Sequence, residues 1–137
     1  MRRFAVLGNP IAHSKSPEIH QAFAAGLNHE VDYSRILVEP GDFNAVVTEF
    51  FSAGGIGLNV TAPFKGDAFE IAEVRTDAAV DAKAANTLWL DSDTRICAHT
   101  TDGSGSFIAE AAMLNSTWSL TEALCLACNL TAAQRRF

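Results

Sequence analysis

Ile56-Gly57-Leu58-Asn59-Val60-Thr61-Ala62-Pro63-Phe64-Lys65 decides the fold of this chain. Ile56 to Thr61 is a short, mostly apolar run, the pattern of a buried strand, and Pro63-Phe64-Lys65 then opens a helix. A strand passing straight into a helix is half of a crossover unit, and the same unit recurs upstream. Phe4-Ala5-Val6-Leu7 is an apolar run stopped by Gly8-Asn9-Pro10. Ser16-Pro17-Glu18 next opens a helix, with Ser16 as N-cap, Pro17 at the first helical position and an acid in the first turn. Ile19, Phe23 and Leu27 recur every four residues and form its expected buried stripe, and Asn28 stops it. Tyr33 to Val38 reads as a second strand. A helix follows from Pro40-Gly41-Asp42, with Phe43, Val46, Val47 and Phe50 on one face, and ends at Ala53-Gly54-Gly55.

Downstream, Thr76 caps a short helix and Asn86 to Leu90 is a strand. Asp91-Ser92-Asp93-Thr94 turns the chain so that Arg95 to His99 pairs back as a hairpin, and Thr101 or Asp102 opens a helix carrying Phe107, Ala111 and Leu114. Strands alternating with helices require crossovers and a largely parallel sheet, and the one hairpin makes that sheet mixed. The expected fold class is α/β: three layers, a mixed, mostly parallel sheet with helices on both faces.

With 137 residues, the chain has the length of one ordinary domain. Lys and Arg total 10 against 16 Asp and Glu, a net charge of −6, which argues against binding a phosphate backbone. Hydrophobic residues make up 48%, enough for a real core, yet no apolar run approaches the roughly 20 residues that span a bilayer. The N-terminus has only four apolar residues before Gly8, too few for a secretory signal, and three cysteines make no disulfide framework. The expectation is a cytoplasmic domain that binds neither nucleic acid nor membrane. Its four histidines and Cys125-Leu126-Ala127-Cys128 show no metal-ligand spacing, and no metal is expected.

Four polar clusters fall beside strand ends, where open α/β sheets bind ligands. His13-Ser14-Lys15-Ser16 joins the first strand to its helix, so free N–H groups, the positive helix end and two hydroxyls favour an anion. Ser16 acting only as a cap explains these residues equally well. In the second cluster, Asn59 and Thr61 share a strand face. Lys65 follows in the first turn of a helix, where the macrodipole disfavours a cation and suits it to proton transfer. A surface lysine whose stem covers Phe64 is the plainer alternative. Asn86-Thr87 heads a strand, and Thr100-Thr101-Asp102-Gly103 follows the last one, where Asp102 serves either as a helix cap or as the partner of Lys65.

Taken together and in this order, the clusters resemble the substrate-binding half of the shikimate dehydrogenase family. Val6 to Pro17 and Gly57 to Lys65 carry the likeness most specifically, followed by Ala85-Asn86-Thr87-Leu88 and Thr101-Asp102-Gly103. The family reduces 3-dehydroshikimate to shikimate with NADP as cofactor, on the route to chorismate and the aromatic amino acids. The resemblance implies that Ser14 and Ser16 hold the substrate carboxylate, that Asn59, Thr61, Asn86 and Asp102 bind ring hydroxyls, and that Lys65 and Asp102 are the catalytic pair. The family usually has asparagine where this chain has Thr100, a glycine where it has Lys83, and often valine at Ala85.

Residues 1–115 are read as this shikimate-binding domain and 116–137 as an atypical tail, a truncated or frame-shifted start of the nucleotide-binding domain. Gly103-Ser104-Gly105 lacks the third glycine of a dinucleotide fingerprint, and Asn129-Leu130-Thr131 stands where the second domain's glycines belong, so no cofactor-binding residue is assigned. Negligible activity of this chain alone is expected. The competing expectations are a cofactor-free module that captures shikimate-like hydroxy acids, or an inactive remnant. A surface left bare by a missing second domain would favour a homo-oligomer.

Overall fold

A computed structural model describes residues 1–102. Its elements are β1 (Arg2–Gly8), α1 (Ser16–Gly26), β2 (Val31–Leu37), α2 (Phe43–Ser52), β3 (Gly57–Val60), α3 (Lys65–Ile71), β4 (Val74–Arg75), α4 (Asp77–Ala82), β5 (Thr87–Leu90) and β6 (Ile96–His99). The strands form one sheet in the order β2-β1-β3-β5-β6-β4. β1 pairs in parallel with β2 and β3, and β4 with β6, whereas β5 runs antiparallel to both β3 and β6. Five strands therefore share a direction and β5 alone is reversed, the mixed, mostly parallel sheet expected from the sequence.

Two apolar clusters cover the two faces, because successive residues of a strand point opposite ways. Ala5 and Leu7 of β1 join Leu58, Val60, Leu88 and Ala98 beneath Phe43, Val47, Phe50 and Phe51 of α2 and Ala68 of α3. Phe4 and Val6 turn the other way and meet Ile11, Tyr33 and Ala24 of α1. Leu7, Leu58 and Leu88 are wholly enclosed, each contributing about 1.5–3 kcal/mol of burial. On the α1 face the alternation also produces a polar row across the sheet centre. Asn59 pairs with Thr87, and Thr87 with His99, all three buried.

Several local expectations change. α1 turns Pro17, His20 and Ala24 inward, while Phe23 and Leu27 are exposed. Small Ala24 permits a close approach, and the flat His20 ring stacks on Tyr33, so shape rather than hydrophobicity selects the inner row. Ser16 is the first helical residue and not the N-cap; Lys15 holds the cap position. The Ser14 hydroxyl accepts from Ser16 N–H at 3.3 Å and so takes over the capping contact. β4 was unanticipated, since two residues carry no periodicity and only pairing with β6 defines them. Thr76 does cap α4, accepting from Ala79 N–H at 3.3 Å. The helix carrying Phe107, Ala111 and Leu114, the tail 116–137 and Cys125-Leu126-Ala127-Cys128 lie outside the described residues.

Candidate substrate site at the strand ends

Reversal of β5 sets the site. The carboxyl ends of β1, β3 and β6 and the amino end of β5 all lie at one edge of the sheet. The loops and helix starts at that edge carry Ser14 and Ser16 after β1, Thr61 and Lys65 after β3, Asn86 before β5, and Thr100 to Asp102 after β6. Such an edge, where neighbouring connections diverge, is where open sheets leave a crevice.

Lys65 and Asp102 meet. Lys65 Nζ donates to Asp102 Oδ2 at 2.6 Å, with both side chains part-exposed, so the pair faces solvent. Asn86 holds the other side of the carboxylate: its Nδ2 donates to Asp102 Oδ1 at 3.3 Å and to Thr101 Oγ1 at 2.9 Å. The Asn86 amide is itself fixed by Thr87, whose hydroxyl donates to Asn86 Oδ1 at 3.0 Å. The backbone ties the same groups together, with Val60 N–H donating to Asn86 O and Ala85 N–H to Lys65 O. The buried Thr100 hydroxyl accepts Asp102 N–H at 3.3 Å and so holds the turn that presents Asp102.

Ser14 and Ser16 form the second part. Their hydroxyls are 3.2 Å apart at the start of α1. The loop is clamped from β2: Arg35 Nε and Nη2 both donate to Ser14 O, at 2.9 and 2.6 Å, and Nη2 also donates to the Glu18 carboxylate at 2.6 and 2.8 Å. That hydrogen bond from Arg35 holds the Glu18 carboxyl below its ordinary range. Asn59 lies deeper, buried between Tyr33 and the Asn86 backbone. Thr61 is half-buried at the end of β3, its backbone N–H donating to Leu7 O.

Tyr33, Arg35 and His20 were not singled out as site residues from the sequence, whereas Thr100 belonged to the fourth cluster. Tyr33 and Arg35 share a β2 face with Val31 by the period of two, and that alternation was the signal available. His20 is polar on an inward helical row and escapes any search for apolar stripes. Among the described residues, no group of three or more His, Cys, Asp or Glu is placed to hold a metal ion, and no helix is long and apolar enough to cross a membrane.

A glycine-rich phosphate turn for a dinucleotide would belong in the loop after β1. A Cβ at Gly8 would stand 2.5 Å from Thr61 Cγ2 and 3.0 Å from Ile11 Cδ1, so that glycine serves close side-chain packing and does not line an open phosphate turn. The loop after β1 is therefore not a glycine-rich phosphate turn.

Comparison with known proteins agrees with the fold. The sequence model of the shikimate dehydrogenase substrate binding domain matches residues 6–88. An NADP(+) shikimate dehydrogenase of Chromobacterium violaceum is 48% identical over 103 residues, spanning 75% of this chain and 37% of that protein. The crystal structure of an Ael1 enzyme from Pseudomonas putida superposes with a TM-score of 0.71 at 47% identity, covering 73% of this chain and 36% of the other. Shikimate 5-dehydrogenase from Listeria monocytogenes, solved in complex with shikimate and NAD, gives a TM-score of 0.71 at 27% identity over 82% of this chain and 39% of that one. This chain thus spans little more than a third of the length of the relatives it matches.

Proposed function

Because this chain belongs to the shikimate dehydrogenase substrate-binding domain family, we propose that the strand-end site binds shikimate and 3-dehydroshikimate and carries the proton-transfer half of their interconversion. The observation that carries this reading is the Lys65–Asp102 pair, joined 2.6 Å apart from the start of α3 and the loop beyond β6 and braced by Asn86. Lys65 sits where α3 begins and Asp102 where β6 has ended, so nothing but folding brings them together.

The roles follow from the chemistry of each group. Ser14 and Ser16 offer hydroxyls, and α1 its free N–H groups, to the substrate carboxylate. Asn59, Thr61, Asn86 and Asp102 bind the ring hydroxyls. In the reducing direction Lys65 Nζ gives its proton to the carbonyl oxygen as the carbonyl carbon is reduced. In the reverse direction the neutral amine takes the proton back from the hydroxyl. Asp102 accepts a charge-assisted hydrogen bond from Lys65 and keeps Nζ aimed at that oxygen. The oxidoreductase activity, the use of NADP and a place in aromatic amino acid biosynthesis are carried over from the relatives. The chemistry assigned to the described residues is the proton transfer alone.

Calorimetric titration of shikimate into the purified chain tests the proposal, repeated with Lys65→Ala and Asp102→Asn. Binding that weakens in both variants supports it. A folded wild-type chain that releases no heat at millimolar shikimate would sink it.

A further inference from the structure

His20 and Tyr33 take no part in the proton transfer, yet they form a buried brace between two parts of the site. Tyr33 lies beneath α1, 4% exposed. Its ring stacks on His20 with centroids 4.1 Å apart and planes 13° from parallel, and on Phe4 at 6.5 Å. His20 is held in turn by Nδ1, 2.7 Å from Ser16 O. A carbonyl can only accept, so Nδ1 carries the proton there. At the far end the Tyr33 hydroxyl donates to Asn59 Oδ1 at 2.7 Å.

The direction of that last bond has a consequence for Asn59. The two ends of a carboxamide have nearly the same shape, so partners alone decide which end is oxygen. Asn86 O lies 3.4 Å from one end and can only accept, which makes that end Nδ2. Oδ1 then faces Tyr33, and the phenol must be the donor. Both contacts are enclosed, Asn59 being 6% exposed. Without the phenol the oxygen end loses a buried donor, and turning the amide over would set Oδ1 against the Asn86 carbonyl.

We infer that Tyr33 is a positioning residue, which fixes the orientation in which the Asn59 carboxamide meets a ring hydroxyl of the substrate. This rests on the substrate-binding reading above and deepens it. Through His20, the same brace ties Asn59 to the backbone of Ser16, so the hydroxyl-binding and carboxylate-binding parts of the site are held in one register.

Tyr33→Phe is the test, because it keeps the ring, its stacking and its burial and removes only the hydroxyl. In the 15N-labelled chain, the Asn59 Nδ2 protons are expected to exchange with solvent at least about ten-fold faster in Tyr33→Phe than in wild type. By calorimetry the shikimate Kd is expected to rise about five-fold, the effect of one net hydrogen bond. In an Asn59→Ala background, or Asn59→Ser if the first does not fold, Tyr33→Phe is expected to leave Kd unchanged, which a merely structural role would not predict. Equal exchange rates in wild type and Tyr33→Phe would overturn the inference, as would an equal weakening of binding with and without Asn59. Absence of shikimate binding to the wild-type chain would overturn the functional reading instead, and the exchange rates would still decide the brace.

Discussion

Lys65 Nζ lies 2.6 Å from Asp102 Oδ2 and links the first residue of α3 to the loop beyond β6, across the end of β5. The contact is part-exposed, so it contributes little to stability, of the order of 0–1 kcal/mol. Lys65→Ala and Asp102→Asn are therefore expected to move the urea unfolding midpoint only slightly. Their shikimate affinity should fall about ten-fold or more, since each removes a charged partner of the ligand. Parallel denaturation and calorimetry check this. Unfolding as large as the binding loss would show that the pair is structural.

Arg35→Ala should loosen Ser14, whose carbonyl it holds through two N–H groups. Shikimate affinity is expected to drop about three- to ten-fold. The methyl ester of shikimate, which has no carboxylate for Ser14 and Ser16 to hold, should bind the variant and the wild type alike. Equal losses for acid and ester would mean that Arg35 acts on the fold and not on the carboxylate site.

Lys83→Gly should stabilise the chain by about 0.5 kcal/mol. Lys83 ends α4 at φ +50°, in the left-handed region where a Cβ is penalised and glycine is favoured. A higher urea midpoint with unchanged slope is the expected outcome, and a lower one would contradict the strain.

Gly8→Ala should destabilise by about 1–3 kcal/mol, because the new methyl would press on Thr61 Cγ2 at 2.5 Å and on Ile11 Cδ1 at 3.0 Å. Thr61 belongs to the proposed site, so shikimate affinity should fall as well. Combining Gly8→Ala with Thr61→Ser removes the colliding methyl and should restore most of the stability. No recovery in that double variant would assign the damage to another contact.

Stability should decline as pH falls below about 6.5. Burial holds the His99 imidazole below its ordinary range. The unfolded chain therefore takes up a proton at a pH where folded His99 stays neutral, and stability present above the unfolded pKa is lost on acidification. Thr76 Oγ1 lies 2.8 Å from His99 Nδ1 while also capping α4, so the start of that helix is the first place to loosen. Urea midpoints at pH 8 and pH 5.5 measure the slope, which His99→Asn should flatten. An identical slope in the variant would place the titration elsewhere.

Strand and helix order was legible because Phe4 to Leu7, Ile56 to Thr61 and Asn86 to Leu90 are apolar runs bounded by turn residues, and local backbone preference reads from such runs directly. The candidate strand-end site was legible as four separate polar clusters, each with a plain structural alternative. β4 was not legible, since Val74-Arg75 is a strand only by virtue of its neighbour. The inward face of α1 was misread, because burial there follows the close fit of Ala24 and the stacking of His20 on Tyr33 rather than apolar spacing.

By itself, then, the sequence determined which segments are strands and helices, that they alternate, and which polar residues stand at their ends. Those properties depend on spacing and local conformation. The tertiary structure decided that Lys65 reaches Asp102, that Arg35 grips Ser14, and that Tyr33 orients Asn59. Each of those bonds spans 21 or more residues of chain, and its partners meet only because the sheet order and the reversed β5 bring distant loops to one edge.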